Sequence, residues 1–223
     1  ISTLFDLAWW RRSGTVEVLG AGRGNVHKVA DAGGRYLMRH YYRGGLMARV
    51  SRDLFLFQPV EQSRAMQEFS LLRALRDQSL PVPRACAARY RRTAFFWYRA
   101  DILVEQIPDA VDLARLMHRQ RAVTPPEWRA LGQTVRRLHE SQCFHSDLNC
   151  HNLMLDAHGK AWIVDFDTCG FRAGESWKSG NLERLLRSLR KELRLDPEFR
   201  WDETQWAYFL AGYQGANTPG TAA

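Results

Sequence analysis

Apolar residues fall in two rhythms along the chain. In the first third they come as short β-prone runs at residues 16–19, 26–30 and 36–42. Such runs, bounded by turn residues, predict strands. Between the first two lies Gly20-Ala21-Gly22-Arg23-Gly24-Asn25, three glycines in six residues, and Gly33-Gly34 precedes the third run. The pattern predicts an antiparallel meander with a glycine-rich first turn. The rhythm then lengthens. Leu46, Val50, Leu54 and Phe57 recur at spacings of 4, 4 and 3, predicting a helix. Met66, Phe69, Leu72 and Leu75 predict a longer one over 61–76, with Glu68 at its middle. Pro81 and Pro83 end that unit, residues 95–98 and 102–107 read as two further strands, and Pro108-Asp109 reads as a linker.

Beyond residue 108 the helical period dominates. Thr124-Pro125-Pro126-Glu127 has the form of a capping box with proline at the first helical position. Trp128, Leu131, Val135 and Leu138 mark the buried face of the helix that follows. Residues 153–156 and 162–166 flank Ala157-His158-Gly159-Lys160, a hairpin by its turn residues. Asn181 is placed to cap a helix whose face is Leu182, Leu185, Leu186, Leu189 and Leu193, and a last helix is expected over 202–213. A β-rich part at 1–107 is therefore followed by a mainly helical part at 108–223. The order predicts an α+β fold of two lobes with a cleft near residue 108.

Composition narrows the function classes. The 223 residues are 45% hydrophobic and 25% charged, which excludes a disordered tail or a coiled coil. No apolar run reaches the roughly 18–20 residues that a spanning helix needs. The net charge of +8 favours anionic partners. The arginines are spread rather than clustered, so a polybasic nucleic-acid arm is not expected. Cys86, Cys143, Cys150 and Cys169 form no disulfide framework and suit a reduced compartment.

The most polar stretch is His145-Ser146-Asp147-Leu148-Asn149-Cys150-His151-Asn152, with Asp165-Phe166-Asp167 after the hairpin. Asp147 falls in a loop after a helix, Asn152 enters the first hairpin strand, and Asp165 leaves the second. A short hairpin returns the chain near its start, so the three side chains converge. Two carboxylates and an amide oxygen are hard donors suited to Mg²⁺ bridging phosphate oxygens. Asp147, if not itself a ligand, accepts the proton of an attacking hydroxyl. This is the layout of phosphoryl transfer. His145 reads as a structural histidine of the loop. Cys143, His145, Cys150 and His151 lie close in sequence, but their spacing matches no familiar zinc module.

On these residues the chain resembles the protein-kinase-like superfamily. Stretches 36–46, 145–155 and 164–172 are similar, more narrowly, to the 3-deoxy-D-manno-octulosonic acid (Kdo) kinase family, which is related to the heptose kinases of the lipopolysaccharide core. The resemblance implies a bilobal kinase-like fold with ATP between an antiparallel N-lobe and a helical C-lobe. It makes Gly20, Gly22 and Gly24 the phosphate loop and residues 102–107 the hinge strand. It sets Arg39 where kinases usually carry lysine, oriented by Glu68, with Glu61 as a rival for that role. It assigns Asn152 and Asp165 to Mg²⁺ and Asp147 to the acceptor hydroxyl. The implied reaction is phosphorylation of the 4-hydroxyl of a Kdo residue on lipid A precursor, at the cytoplasmic face of the inner membrane. A peripheral protein on an anionic membrane surface is implied, with no nucleic-acid partner.

Arg39 keeps a permanent charge but changes shape, which leaves a non-catalytic nucleotide-binding scaffold as an alternative. Another sugar or an aminoglycoside as acceptor is a second. Asp167 stands where protein kinases carry glycine, and no Ala-Pro-Glu motif follows, so no phosphorylated activation loop is expected. Trp9-Trp10-Arg11-Arg12 and residues 43–57 pair bulk with arginine, as interfacial anchors do. Core packing is the expectation for the two tryptophans.

Overall fold

The computed structural model describes residues 2–19, 26–42, 53–94 and 96–215. The chain forms two compact units: Ile1–Ala74 with Pro83–Gln106, and Leu75–Val82 with Ile107–Ala223.

The first unit is built on one antiparallel sheet. Its elements are α1 (Leu7–Ser13), β1 (Thr15–Leu19), β2 (Val26–Asp31), β3 (Gly34–His40), β4 (Phe55–Leu56), most of α2 (Arg64–Asp77), β5 (Ala85–Ala94) and β6 (Trp97–Glu105). The strand order is β1-β2-β3-β6-β4, with β5 also paired to β6. The register sets Arg39 opposite Ile102. Phe5, Trp10, Val29, Met38, Ala87 and Leu103 form the core against this sheet. Asp6 starts α1 by accepting a hydrogen bond from the Ala8 N–H at 2.8 Å. Trp10 is 1% exposed and donates its indole N–H to the Leu4 carbonyl. Trp9 packs partly buried against the same core, so the two tryptophans belong to packing.

Three expectations need correction here. Of the helix expected at 46–57, residues 46–52 lie outside the described residues, but its end is not helical. Phe55 and Leu56 pair with Tyr98 and Trp97, and the Phe55 and Tyr98 rings stack at 5.4 Å. Sheet pairing and ring packing override the helical spacing there. The runs at 95–98 and 102–107 fall largely on one strand, β6. The strand β5 went unforeseen because Ala85–Ala94 is mostly alanine and arginine, without an alternating apolar face. Its ladder to β6 supplies what its side chains do not.

The second unit is mainly helical. It holds β7 (Val111–Asp112), α3 (Leu113–Arg119), α4 (Pro125–Glu140), β8 (Cys143–Phe144), β9 (Leu153–Leu155), β10 (Ala161–Ile163), β11 (Gly170–Phe171), α5 (Lys178–Leu195) and α6 (Glu203–Gln214). α3 was not foreseen from the sequence. The Glu127 carboxylate closes the start of α4 by accepting from the Thr124 N–H at 2.9 Å and its hydroxyl at 2.8 Å. Trp128, Leu131, Val135 and Leu138 are fully buried. Each such side chain contributes about 1.5–3 kcal/mol relative to exposure. α4 lies so close to α6 that a Cβ on Gly132 would sit 2.1 Å from the Phe209 carbonyl, and one on Gly212 2.1 Å from that of Arg129. β9 and β10 form the expected hairpin, and β7 pairs with β9. α5 begins at Lys178, so Asn181 lies inside its first turn rather than capping it. Asn181 shares the buried face with Leu185 and Leu189, at i, i+4 and i+8.

Candidate functional site

The polar residues of the first unit gather on β3 and α2. Glu68, in the second turn of α2, is 5% exposed. Its carboxylate receives the Arg39 guanidinium from β3 and the Tyr41 hydroxyl just beyond that strand. A buried carboxylate is costly unless paired, and this one has a cation and a hydroxyl donor. Burial and the neighbouring carboxylate raise the Tyr41 hydroxyl well above its usual range, so it stays a donor. Arg39 also lies 5.1 Å from the Tyr41 ring centroid, which adds a cation–π contact. The expected Arg39–Glu68 pair is thus formed. Glu61, in the short 3-10 turn Val60–Gln62, is exposed. Gly20, Gly22 and Gly24 lie outside the described residues.

In the second unit the loop after α4 is held by a fully buried histidine. The His145 Nδ1 accepts from the Asp147 N–H at 3.2 Å, and its Nε2 faces the Val164 carbonyl at 3.0 Å. A neutral ring with the proton on Nε2 satisfies both contacts. Desolvation lowers its pKa, which favours that neutral form. His145 therefore ties the backbone of Asp147 to the residue before Asp165. Asn181 locks the same histidine from α5: its Nδ2 donates to the His145 carbonyl at 2.9 Å, and its Oδ1 accepts from the His145 N–H at 3.3 Å.

Asn152 closes the loop. Its Nδ2 donates to the Asp147 carbonyl at 2.9 Å, and its own carbonyl accepts from the Val164 N–H at 3.0 Å. This orientation turns the Asn152 Oδ1 away from the Asp147 carbonyl, and it makes no hydrogen bond among the described residues. Asp165 adopts a left-handed backbone, with φ of 62°, and is exposed. Thr168 in the next turn also has a positive φ, 59°. Such backbone costs about 1–3 kcal/mol and persists only where the surrounding structure holds it. Ser146 steadies this segment by donating to the Asp167 carbonyl at 3.1 Å. An amide oxygen and a carboxylate, both hard donors, fit a hard divalent cation such as Mg²⁺. The Asp147 carboxylate itself projects outward and is met by Arg184 of α5, Nη1 to Oδ1 at 3.1 Å.

Sequence reasoning missed Tyr41, Asn181 and Arg184 as parts of these clusters. Only Asn181 left a signal, a polar residue in phase with buried leucines. Cys143 does not join Cys150 and His151; their ligand atoms lie within 4.8 Å of those of Glu192 instead. Burial pushes the Cys143 thiol up to about 12 and the Cys150 thiol up to about 11, as for protonated apolar fillers. All four cysteines are free thiols. Among the described residues no helix is long and apolar enough to cross a membrane.

Comparison with known proteins adds an independent line. The family model of the lipopolysaccharide kinase (Kdo/WaaP) family matches residues 7–213. A 3-deoxy-D-manno-octulosonic acid kinase of Actinobacillus succinogenes is 39% identical over 217 residues, covering 94% of this chain and 89% of that protein. The enzyme of the same name from Pasteurella multocida is 38% identical with the same coverage. That from Vibrio cholerae is 40% identical over 83% of this chain and 78% of its own. The solved structure of WaaP in complex with acyl carrier protein superposes with a TM-score of 0.59 at 18% identity, covering 92% of this chain and 80% of that one. That likeness bears on the fold, which is the expected kinase-like α+β class. The chain belongs to the lipopolysaccharide kinase (Kdo/WaaP) family.

Proposed function

We propose that this protein is an ATP-dependent 3-deoxy-D-manno-octulosonic acid kinase of lipopolysaccharide core biosynthesis. It transfers the γ-phosphoryl group to the 4-hydroxyl of a Kdo residue on lipid A precursor. The observation that carries the reading is the loop at 145–152, a phosphoryl-transfer motif whose backbone His145 and Asn152 hold in one hydrogen-bonded unit. Relatives that bear this name along nearly the whole chain support it.

In this reading Asp147 accepts the acceptor hydroxyl proton as the oxygen attacks phosphorus and the bond to the β-phosphate oxygen breaks, releasing ADP. Arg184 pairs with the Asp147 carboxylate from α5. Asn152 and Asp165 would hold Mg²⁺, which would supply charge neutralisation on the phosphates. Arg39, oriented by Glu68 and Tyr41, offers a permanent planar cation to the nucleotide phosphates in place of lysine. Residues 20–25 act as the phosphate loop. The parts at 1–107 and 108–223 serve as nucleotide-side and acceptor-side lobes. Positioning and charge dominate such catalysis, because the protein has little covalent chemistry to perform. The enzyme works peripherally at the cytoplasmic face of the inner membrane, where a lipid-linked acceptor is presented.

The test is transfer of labelled γ-phosphate from ATP, with Mg²⁺, to a Kdo-bearing lipid A precursor. Native protein should transfer label, and Asp147→Ala should lose about 10²-fold or more of the rate with ATP binding intact. Near-normal turnover by Asp147→Ala would remove that residue from the base role. ATP binding with no transfer to this or any other sugar acceptor would favour the scaffold alternative that Arg39 raises.

A further inference from the structure

α5 has two contrasting faces. Leu185 and Leu189 are fully buried, with Leu182, Leu186 and Leu193 partly buried beside them. On the opposite side, Arg184, Arg187, Lys191 and Arg194 recur at i, i+3, i+7 and i+10, all exposed. At about 100° per residue they fall within one narrow stripe. Six of the 18 residues of α5 are basic and two are acidic, giving this helix four of the chain's eight net positive charges.

The stripe is not there for the helix. Like charges at i+3 and i+4 weaken a helix, and exposed ion pairs add little. Arg187 has only a long contact to Glu183, at 3.5 Å between exposed groups. Lys191 and Arg194 make no ion pair among the described residues. Arg184 spends one N–H on Asp147 and makes no other hydrogen bond among the described residues. Further along, Arg187, Arg190, Leu193 and Arg194 line a hollow of about 430 Å³. Arg190 is fixed there by Glu203, Nε to Oε1 at 2.6 Å. A hollow walled mainly by apolar side-chain surface, set among arginines, thus lies on the helix whose Arg184 meets the proposed base.

We propose that this stripe and its hollow form an anion subsite for the acceptor, an inference that rests on the kinase reading above. Arg184 marks the reacting end. At 1.5 Å per residue, the hollow begins about 5 Å and ends about 15 Å further along α5. The subsite therefore takes a carboxylate or phosphate that the acceptor carries beyond the sugar being phosphorylated. It favours an extended, multiply anionic acceptor over a free monosaccharide. Guanidinium groups suit either anion by paired N–H donation.

The test compares native protein with Arg187→Gln/Arg194→Gln, and with Arg187→Lys/Arg194→Lys as the charge-preserving control. Equilibrium binding is measured for Kdo-bearing lipid A precursor in neutral detergent micelles, for free Kdo and for ATP, with the transfer assay alongside. The Gln variant should lose about tenfold or more in affinity for the lipid-linked acceptor. Its binding of free Kdo and ATP should be unchanged, and the Lys variant should recover part of the loss. Equal binding of the lipid-linked acceptor by native and Gln variant overturns the subsite. So does a loss seen only when the acceptor is presented in phosphatidylglycerol vesicles, which would assign the stripe to lipid headgroups. Transfer by native protein with normal binding by the variant leaves the kinase reading standing and removes the subsite. Native binding through the stripe without transfer does the reverse, and native protein that neither binds nor transfers removes both.

Discussion

Replacing His145 by leucine asks how much of the loop at 145–152 depends on one ring. Leucine keeps most of the buried volume, so the cavity term is small. It leaves the Asp147 N–H and the Val164 carbonyl without the partners they now have at 3.2 and 3.0 Å. An unsatisfied buried polar group costs about 1–3 kcal/mol, and both groups here are only part-buried. The lower half of that range, taken twice, gives a loss of about 2–4 kcal/mol. The edge-on contact of the ring with Phe166, centroids 5.1 Å apart, is lost too. Urea unfolding at pH 7.5, native against His145→Leu, reads the stability. The rate should fall as well, because Asp147 and Asp165 lose a common anchor. A displacement of about 1 Å costs on the order of 10²-fold in rate. The reasoning is refuted if the variant loses less than about 1 kcal/mol by this measure, or if it is destabilised as expected yet turns over at the native rate.

Four further outcomes follow from the same structure. Glu68→Gln should remove the charge facing Arg39 while leaving the volume intact, costing about 2–4 kcal/mol and weakening nucleotide binding, as read by thermal unfolding with and without ATP. Gly212→Ala should cost about 2 kcal/mol or more by overpacking, because its methyl group meets the α4 backbone; a native melting temperature would show that the helices separate freely. Acid should destabilise the protein through His139, which is 1% exposed and lowered by burial from 6.5 to about 4. The unfolded chain takes up a proton that the fold resists, so this stability is complete above about pH 6.5. It falls by about 1.4 kcal/mol per unit down to about pH 4, and a His139→Gln protein of unchanged acid slope would sink the assignment. His118 acts oppositely. Burial disfavours its charge, but Glu192 and Asp196 outweigh that and raise its pKa, so its contribution is lost as pH climbs through the raised value.

Local signals and tertiary contacts divided the information unequally. The order of β-rich and helical parts, the α4 capping box and the hairpin at 153–163 were all legible in the sequence, and Asp147, Asn152 and Asp165 are proposed as site residues from their spacing in it. Each rests on residues close together in the chain: a period, a cap, a turn, a motif of fixed spacing. Glu68 was legible as the mid-helix carboxylate, and the structure pairs it with Arg39. What the sequence could not supply came from partners far apart. β5 exists because β6 offers it a ladder, and Phe55 is in a strand because Tyr98 stacks on it, against its own helical spacing. Asn181 looked like a cap, because capping is the local use of asparagine. The structure instead spends it on His145, 36 residues away, where a buried amide satisfies a buried backbone. Arg184 meets Asp147 across 37 residues. Sequence alone determined which chemistry the chain carries, because that chemistry is written in residue types at short spacing. Tertiary structure decided which side chains hold those residues in place, because a hydrogen bond depends on distance in space and not along the chain.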